Sequence, residues 1–108
     1  MALTDTYALT EPSRTDVDLL DGPTLLEFGA PWCGHCRAAQ PLLAQAMAGR
    51  DNLRHLKIED GPGRPLGRSF RVKLWPTYIL LEHGVELARV VRPADVEALD
   101  QMLGEAGR

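Results

Sequence analysis

Cysteine is scarce in this sequence: of 108 residues only Cys33 and Cys36 carry a thiol, three positions apart. A secreted scaffold held by several disulfides is thereby excluded. Long apolar runs are missing too, since none approaches the roughly 20 residues that a membrane span needs. Positive charge is not in excess. With a formal charge of −3 and 25% charged residues, no broad polyanion-binding surface and no nucleic-acid partner are expected. The first segment, Met1 to Glu11, has neither the basic start nor the apolar stretch of a signal peptide, so the expectation is a cytoplasmic protein without membrane association. Internal repeats and low-complexity segments are absent. A second pair of metal ligands is also lacking, because besides the cysteines only His35, His55, His83 and carboxylates are available. No metal is expected.

What is present is an ordinary globular composition, 44% hydrophobic, in a chain that can close one core but has no room for a separate cofactor domain. A single domain spanning residues 1–108, acting as a monomer without a bound cofactor, must carry the chemistry. Tyr7 to Leu9 reads as an edge strand and Asp16 to Leu20 as a short helix ended by Asp21-Gly22-Pro23. Thr24 to Phe28 is a near-continuous apolar run, suited to a strand buried on both faces and interrupted only by Glu27. From Cys33 onward Ala38, Ala39, Leu42, Leu43, Ala46 and Met47 recur at helical spacing until Gly49, with Pro41 expected to kink the helix. Leu53 to Glu59 alternates like a strand, Pro65 opens a short helix reaching Phe70, and Thr77 to Leu81 is a second fully apolar strand. A His83-Gly84 turn leads to a strand over Val85 to Val91, and Pro93 starts a last helix. Helical crossovers imply parallel neighbours and the hairpin an antiparallel edge, so the fold class is α/β with a central mixed sheet flanked by helices.

The cysteine pair sits where this pattern turns from strand to helix. Residues i and i+3 on a first helical turn share one face, close enough for their sulfurs to bond with little backbone movement. The helix N-terminus offers unpaired N–H groups and the positive end of the dipole, which favour a thiolate on Cys33 and make it the nucleophile. Cys36, a turn further in, is then the resolving thiol. A structural disulfide across so short a loop would remove little unfolded-state entropy.

The stretch Leu25-Leu26-Glu27-Phe28-Gly29-Ala30-Pro31-Trp32-Cys33-Gly34-His35-Cys36, followed by Pro41 and by Trp75-Pro76-Thr77, resembles the active-site strand, redox motif, helix kink and cis-proline loop of the thioredoxin family. The resemblance spans Leu20 to Leu103, and its Gly-His centre is similar to protein disulfide isomerase domains, where thioredoxins proper carry Gly-Pro. It implies a thioredoxin fold and a thiol–disulfide oxidoreductase that reduces protein disulfides. An electron donor such as a thioredoxin reductase or the glutathione system would recharge it. By the same resemblance Glu27 is a buried carboxylate behind the disulfide, moving protons to and from Cys36. Burial should raise its pKa; read from the residues alone, an edge carboxylate facing water is the alternative. Lys57 falls where many thioredoxins place a lysine near that carboxylate, and a Glu27–Lys57 pair is implied. His35, when protonated, can stabilise the Cys33 thiolate. His55 and His83 are expected on the surface. Trp32, Gly34, Trp75, cis-Pro76 and Arg92 are the implied substrate contacts, with the Trp75 backbone offered for strand-like pairing. Leu74 and Arg92 stand where the family often has glycine, so the rim should be bulkier and more positive unless those loops splay outward. A disulfide oxidase or isomerase, or a redox-sensing binding module with little turnover, are the rival readings.

Overall fold

A computed structural model describes residues 3–106 of the chain. The elements run in the order α1 (Arg14–Asp18), β1 (Pro23–Gly29), α2 (Gly34–Met47), β2 (Arg54–Glu59), α3 (Pro65–Ser69), β3 (Thr77–Glu82), β4 (Val85–Val91) and α4 (Val96–Leu103). The two apolar runs become the central strands of a sheet ordered β2-β1-β3-β4. Strand alternation then sorts their side chains into two cores. Leu25 and Tyr78 pack with Leu43, Met47, Leu99 and Leu103 of α2 and α4, whereas Leu26, Phe28, Ile79 and Leu81 pack with Val17, Leu66 and Phe70 beneath α1 and α3. A mixed four-stranded sheet between helices is the arrangement that the resemblance implies.

β1 and β2 are parallel, with α2 as their crossover, and β4 closes an antiparallel hairpin through His83 and Gly84. Both turn residues take positive φ, 51° and 78°, the backbone of the tight hairpin turn that matches strand twist. β3, however, is antiparallel to β1 and not a parallel neighbour reached by a crossover. The reason lies in its connection: β2 ends at Glu59 beside Gly29 and β3 starts at Thr77 opposite Phe28. The connection through α3 therefore leaves and rejoins the sheet at the same end. That end also receives the cysteines after β1 and Arg92 after β4.

Two boundaries differ from the pattern-based expectation. Tyr7 to Leu9 forms no strand; its attachment is one backbone bond, Ala8 N–H to Lys57 C=O at 2.8 Å. The last helix begins at Val96 and not at Pro93, because the Asp95 carboxylate accepts the Ala98 N–H at 3.0 Å and caps it there. Pro41 lies inside α2 on its exposed side.

Candidate active site

Cys33 is the N-cap of α2, and its Sγ accepts the Cys36 N–H at 3.1 Å. One of the free donors of the helix end is thus aimed at sulfur, where negative charge is best accommodated. Cys33 is partly exposed and Cys36 is 3% exposed. Burial, and after it the hydrogen bond with Cys33, pushes the Cys36 thiol up to about 12. One thiol is presented and the other is kept protonated. The Cys36 sulfur occupies the space beside the bare backbone of Gly29, where an added Cβ would lie 2.6 Å from Sγ.

Glu27 is fully buried on the α2 side of β1, and both carboxylate oxygens accept hydrogen bonds. Oε2 accepts Gln40 Nε2–H at 2.7 Å, and Oε1 lies 2.8 Å from His55 Nε2. The edge alternative is therefore ruled out. Lys57 is 8% exposed and pairs with Glu27 in strand register. Its ammonium nevertheless meets Gln40 Oε1 and the Asp5 carbonyl, each at 3.3 Å, so the expected Glu27–Lys57 pair is bridged by the Gln40 amide. His55 is the clearest correction, for it is 3% exposed, not a surface residue. Its polarity is satisfied on both sides, by Glu27 and by the Thr4 N–H, which donates to Nδ1 at 2.8 Å. Tyr7 closes the cluster, with Lys57 Nζ 4.8 Å from its ring centre; burial, then the nearby Cys36 and Glu27, pushes its hydroxyl pKa upward. A cavity of about 360 Å³ bordered by Tyr7, Cys36, Arg37, Gln40 and Lys57 leads to this cluster from solvent.

A buried carboxylate behind an N-capping cysteine and a shielded second thiol is the arrangement that the thioredoxin resemblance implies, and comparison with known proteins agrees. The thioredoxin family model matches residues 9–105. The chain belongs to the thioredoxin family. It is 36% identical over 105 residues to a thioredoxin of Mycolicibacterium smegmatis, covering 94% of each chain. Its fold superimposes on reduced thioredoxin 2 from Pseudomonas aeruginosa PAO1 with a TM-score of 0.83 and 52% identity, over 96% of this chain and 100% of that one. The protein disulfide-isomerase erp38 of Neurospora crassa is 43% identical over 67 residues, a match that covers 57% of this chain and 18% of the isomerase. As a thioredoxin-family member the protein is a thiol–disulfide oxidoreductase that reduces protein disulfides, with Cys33 and Cys36 as its Cys-x-x-Cys pair.

The rim of this thioredoxin site is built from tryptophans. Trp32 is 66% exposed and meets Trp75 edge-on, ring centres 6.4 Å apart. The Trp75 indole N–H donates to the buried Asp60 carboxylate at 2.9 Å, and the Trp75–Pro76 bond is cis. Arg92 does not splay outward: its Nε–H donates to the Trp75 carbonyl at 2.7 Å, and its own N–H to the Pro76 carbonyl at 3.0 Å. Leu74 and Gly34 are exposed at the same end. His35 is exposed on the first turn of α2, in a cavity it shares with Arg92 and Pro93, and has no hydrogen bond to Cys33 among the described residues. His83 is on the surface.

Sequence reasoning missed His55, Gln40 and Asp60. Two of these had a signal. Residues two apart on a strand share a face, so a Lys57 that faces the carboxylate brings His55 with it. Gln40 is four residues after Cys36 and shares its helix face.

Proposed function

We propose that this single domain, working as a monomer, reduces disulfides of partner proteins by two sequential exchanges. Cys33 thiolate attacks a substrate disulfide sulfur; the substrate S–S bond breaks as the mixed disulfide forms, and the first substrate sulfur leaves as a thiolate that takes a proton from solvent. Cys36 then loses its proton to Glu27, and its sulfur attacks Cys33 Sγ. The Cys33–substrate bond breaks, the second substrate sulfur departs as a thiolate that takes a proton from solvent, and Glu27 returns its proton to solvent. Two electrons have moved to the substrate, and the Cys33–Cys36 disulfide is returned to dithiol by a donor such as a thioredoxin reductase or glutathione. A reducing compartment such as the cytoplasm suits this direction. Trp32, Gly34, Trp75, Pro76 and Arg92 form the rim against which the substrate lies, and His35 adds positive charge beside Cys33 when protonated.

The observation that carries the roles is the asymmetry of the pair: Cys33 Sγ accepts a helix N–H at the surface while Cys36 is buried against the Glu27 side of the sheet. Glu27 serves as base because a thiol held up to about 12 needs a proton acceptor at neutral pH. Rapid mixing of the reduced protein with the aromatic disulfide DTNB tests this, since the second thionitrobenzoate is released only by Cys36. Glu27→Gln should slow that second phase by about 10²-fold or more, the usual worth of a positioned base, and leave the first unchanged. An equal second phase in both proteins would remove Glu27 from the mechanism. The Gly-His centre favours a second reading, a disulfide oxidase or isomerase; equilibration in glutathione buffers separates the two through the reduction potential.

A further inference from the structure

The histidine behind the carboxylate has one ring nitrogen whose protonation is dictated by the backbone. Thr4 N–H points at His55 Nδ1 at 2.8 Å, and Thr4 Oγ1–H donates to the His55 carbonyl at 3.0 Å. A nitrogen that accepts an N–H bond cannot itself carry a proton, so the ring proton sits on Nε2. That nitrogen lies 2.8 Å from Glu27 Oε1, with both side chains fully buried. Glu27 is therefore met by two neutral donors, His55 Nε2–H and Gln40 Nε2–H. The lysine, the nearest cation, is one amide further away.

We infer that His55, locked by the Thr4 N–H in its Nε2–H tautomer, is a positioning residue that holds Glu27 for proton exchange with Cys36 and is itself barred from taking that proton. The inference rests on the reading of Glu27 as the base for Cys36. With Nδ1 engaged by Thr4 and Nε2 already protonated, neutral His55 has no free lone pair. A proton released by Cys36 stays on the carboxylate and leaves on the other side, where Gln40 and Lys57 border the solvent-connected cavity. His55 thus supplies orientation and one charge-assisted hydrogen bond, a kind stronger than its neutral counterpart. The other groups around Glu27 are Cys33 and Cys36 at the start of α2, Lys57 on β2, Tyr78 on β3 and Tyr7 in the N-terminal segment. Neither tyrosine competes as the base, because burial raises both hydroxyls. Thr4, remote in sequence, thereby acts on the chemistry through its backbone N–H.

The test combines the DTNB second phase, followed from pH 5 to 9, with long-range ¹⁵N–¹H NMR of the His55 ring. In the wild type at pH 8 Nε2 should show the protonated and Nδ1 the unprotonated ring signature. Thr4→Pro, which removes the donor N–H and the hydroxyl and fixes φ at position 4, frees the Nδ1 lone pair, so Nδ1 should show the protonated signature at the acid end of the range while Nε2 stays protonated, whereas Thr4→Val, which keeps the N–H, should retain the wild-type spectrum. In His55→Leu the acid fall-off of the second phase should begin about one to two pH units higher, the worth of one hydrogen bond to a charged acceptor. His55→Gln, whose amide can still donate, should recover most of that shift. If Glu27→Gln leaves the fall-off in place, the base assignment fails. If Glu27→Gln abolishes the fall-off but folded His55→Leu keeps it unmoved, the positioning role of His55 fails while the base stands. Should His55→Leu not fold, Thr4→Pro decides: an Nδ1 that stays unprotonated across the whole range together with an unmoved profile overturns the inference.

Discussion

Replacing Gly29 by alanine probes the contact that seats the resolving thiol. Gly29 has no positive φ, so alanine is allowed by the backbone, and the obstacle is Cys36. A Cβ at 29 would stand 2.6 Å from Cys36 Sγ, 3.2 Å from the Tyr7 hydroxyl and 3.6 Å from Cys36 Cβ. The tyrosine tip can move aside and the last distance is ordinary contact. The sulfur has one torsion to turn, and its residue is fixed in the first turn of α2 by the bond to Cys33. Relief must therefore come from an off-rotamer thiol or a shifted helix start, at a cost of about 1–3 kcal/mol. This corresponds to roughly 4–8 °C in Tm per kcal/mol for a domain of this size. In a Cys36→Ala background the sulfur is gone, and the same Gly29→Ala change should be neutral or stabilising by up to about 1 kcal/mol through the unfolded chain. The two substitutions should then couple by about 1–4 kcal/mol in a double-mutant cycle. Urea unfolding of all four reduced proteins, followed by far-ultraviolet circular dichroism, reads this directly. Equal cost of Gly29→Ala in both backgrounds would refute the argument and place the strain elsewhere.

Three further outcomes are expected. The Cys36 thiol is raised from 9.0 to about 12 on folding, so the folded state keeps a proton that the unfolded chain gives up. This contribution is complete below about pH 9 and disappears as pH climbs toward 12, at up to about 1.4 kcal/mol per pH unit; Cys36→Ala should flatten that part of the urea-midpoint profile. Iodoacetamide at pH 7 should modify Cys33 well before Cys36, and Cys36→Ser should trap partner proteins as mixed disulfides while Cys33→Ser does not; peptide mapping that found the reverse order would exchange the two roles. Arg92 takes φ 49° and occupies the Trp75 carbonyl, so Arg92→Gly should relieve backbone strain while losing one hydrogen bond, leaving stability within about 1 kcal/mol. It should also raise kcat/KM with a protein disulfide substrate, and an unchanged value would mean that this carbonyl takes no part in docking.

The elements easiest to read in the sequence were those whose evidence is local. The runs Thr24 to Phe28 and Thr77 to Leu81 could be placed as buried strands because burial on both faces leaves no polar alternation. Asp95 outranked Pro93 as a helix start because a carboxylate one residue before the helix satisfies a free N–H, which proline does not do. His55 was opaque for a different reason. Its burial depends on Glu27, 28 residues away, and on Thr4, 51 residues away, so no local window contains the partners that make an interior imidazole affordable. The Glu27–Lys57 expectation had the right register and the wrong contact, since register fixes which backbones are neighbours and a helix residue, Gln40, then filled the gap between the side chains.

The two tryptophans at the rim are the only ones in the chain, and this makes the protein's intrinsic fluorescence a local instrument. The Trp32 ring is mostly in water, while the Trp75 ring is tied to Asp60, whose carboxylate fills the space over Gly67 on α3. Emission therefore reports on the few ångströms around Cys33 and is blind to the α2–α4 core. Oxidation or partner docking should register optically with no added label. A melting curve recorded by fluorescence would follow the loosening of the Asp60 tether, and a transition earlier than the one recorded by circular dichroism would report local opening of this rim ahead of the core.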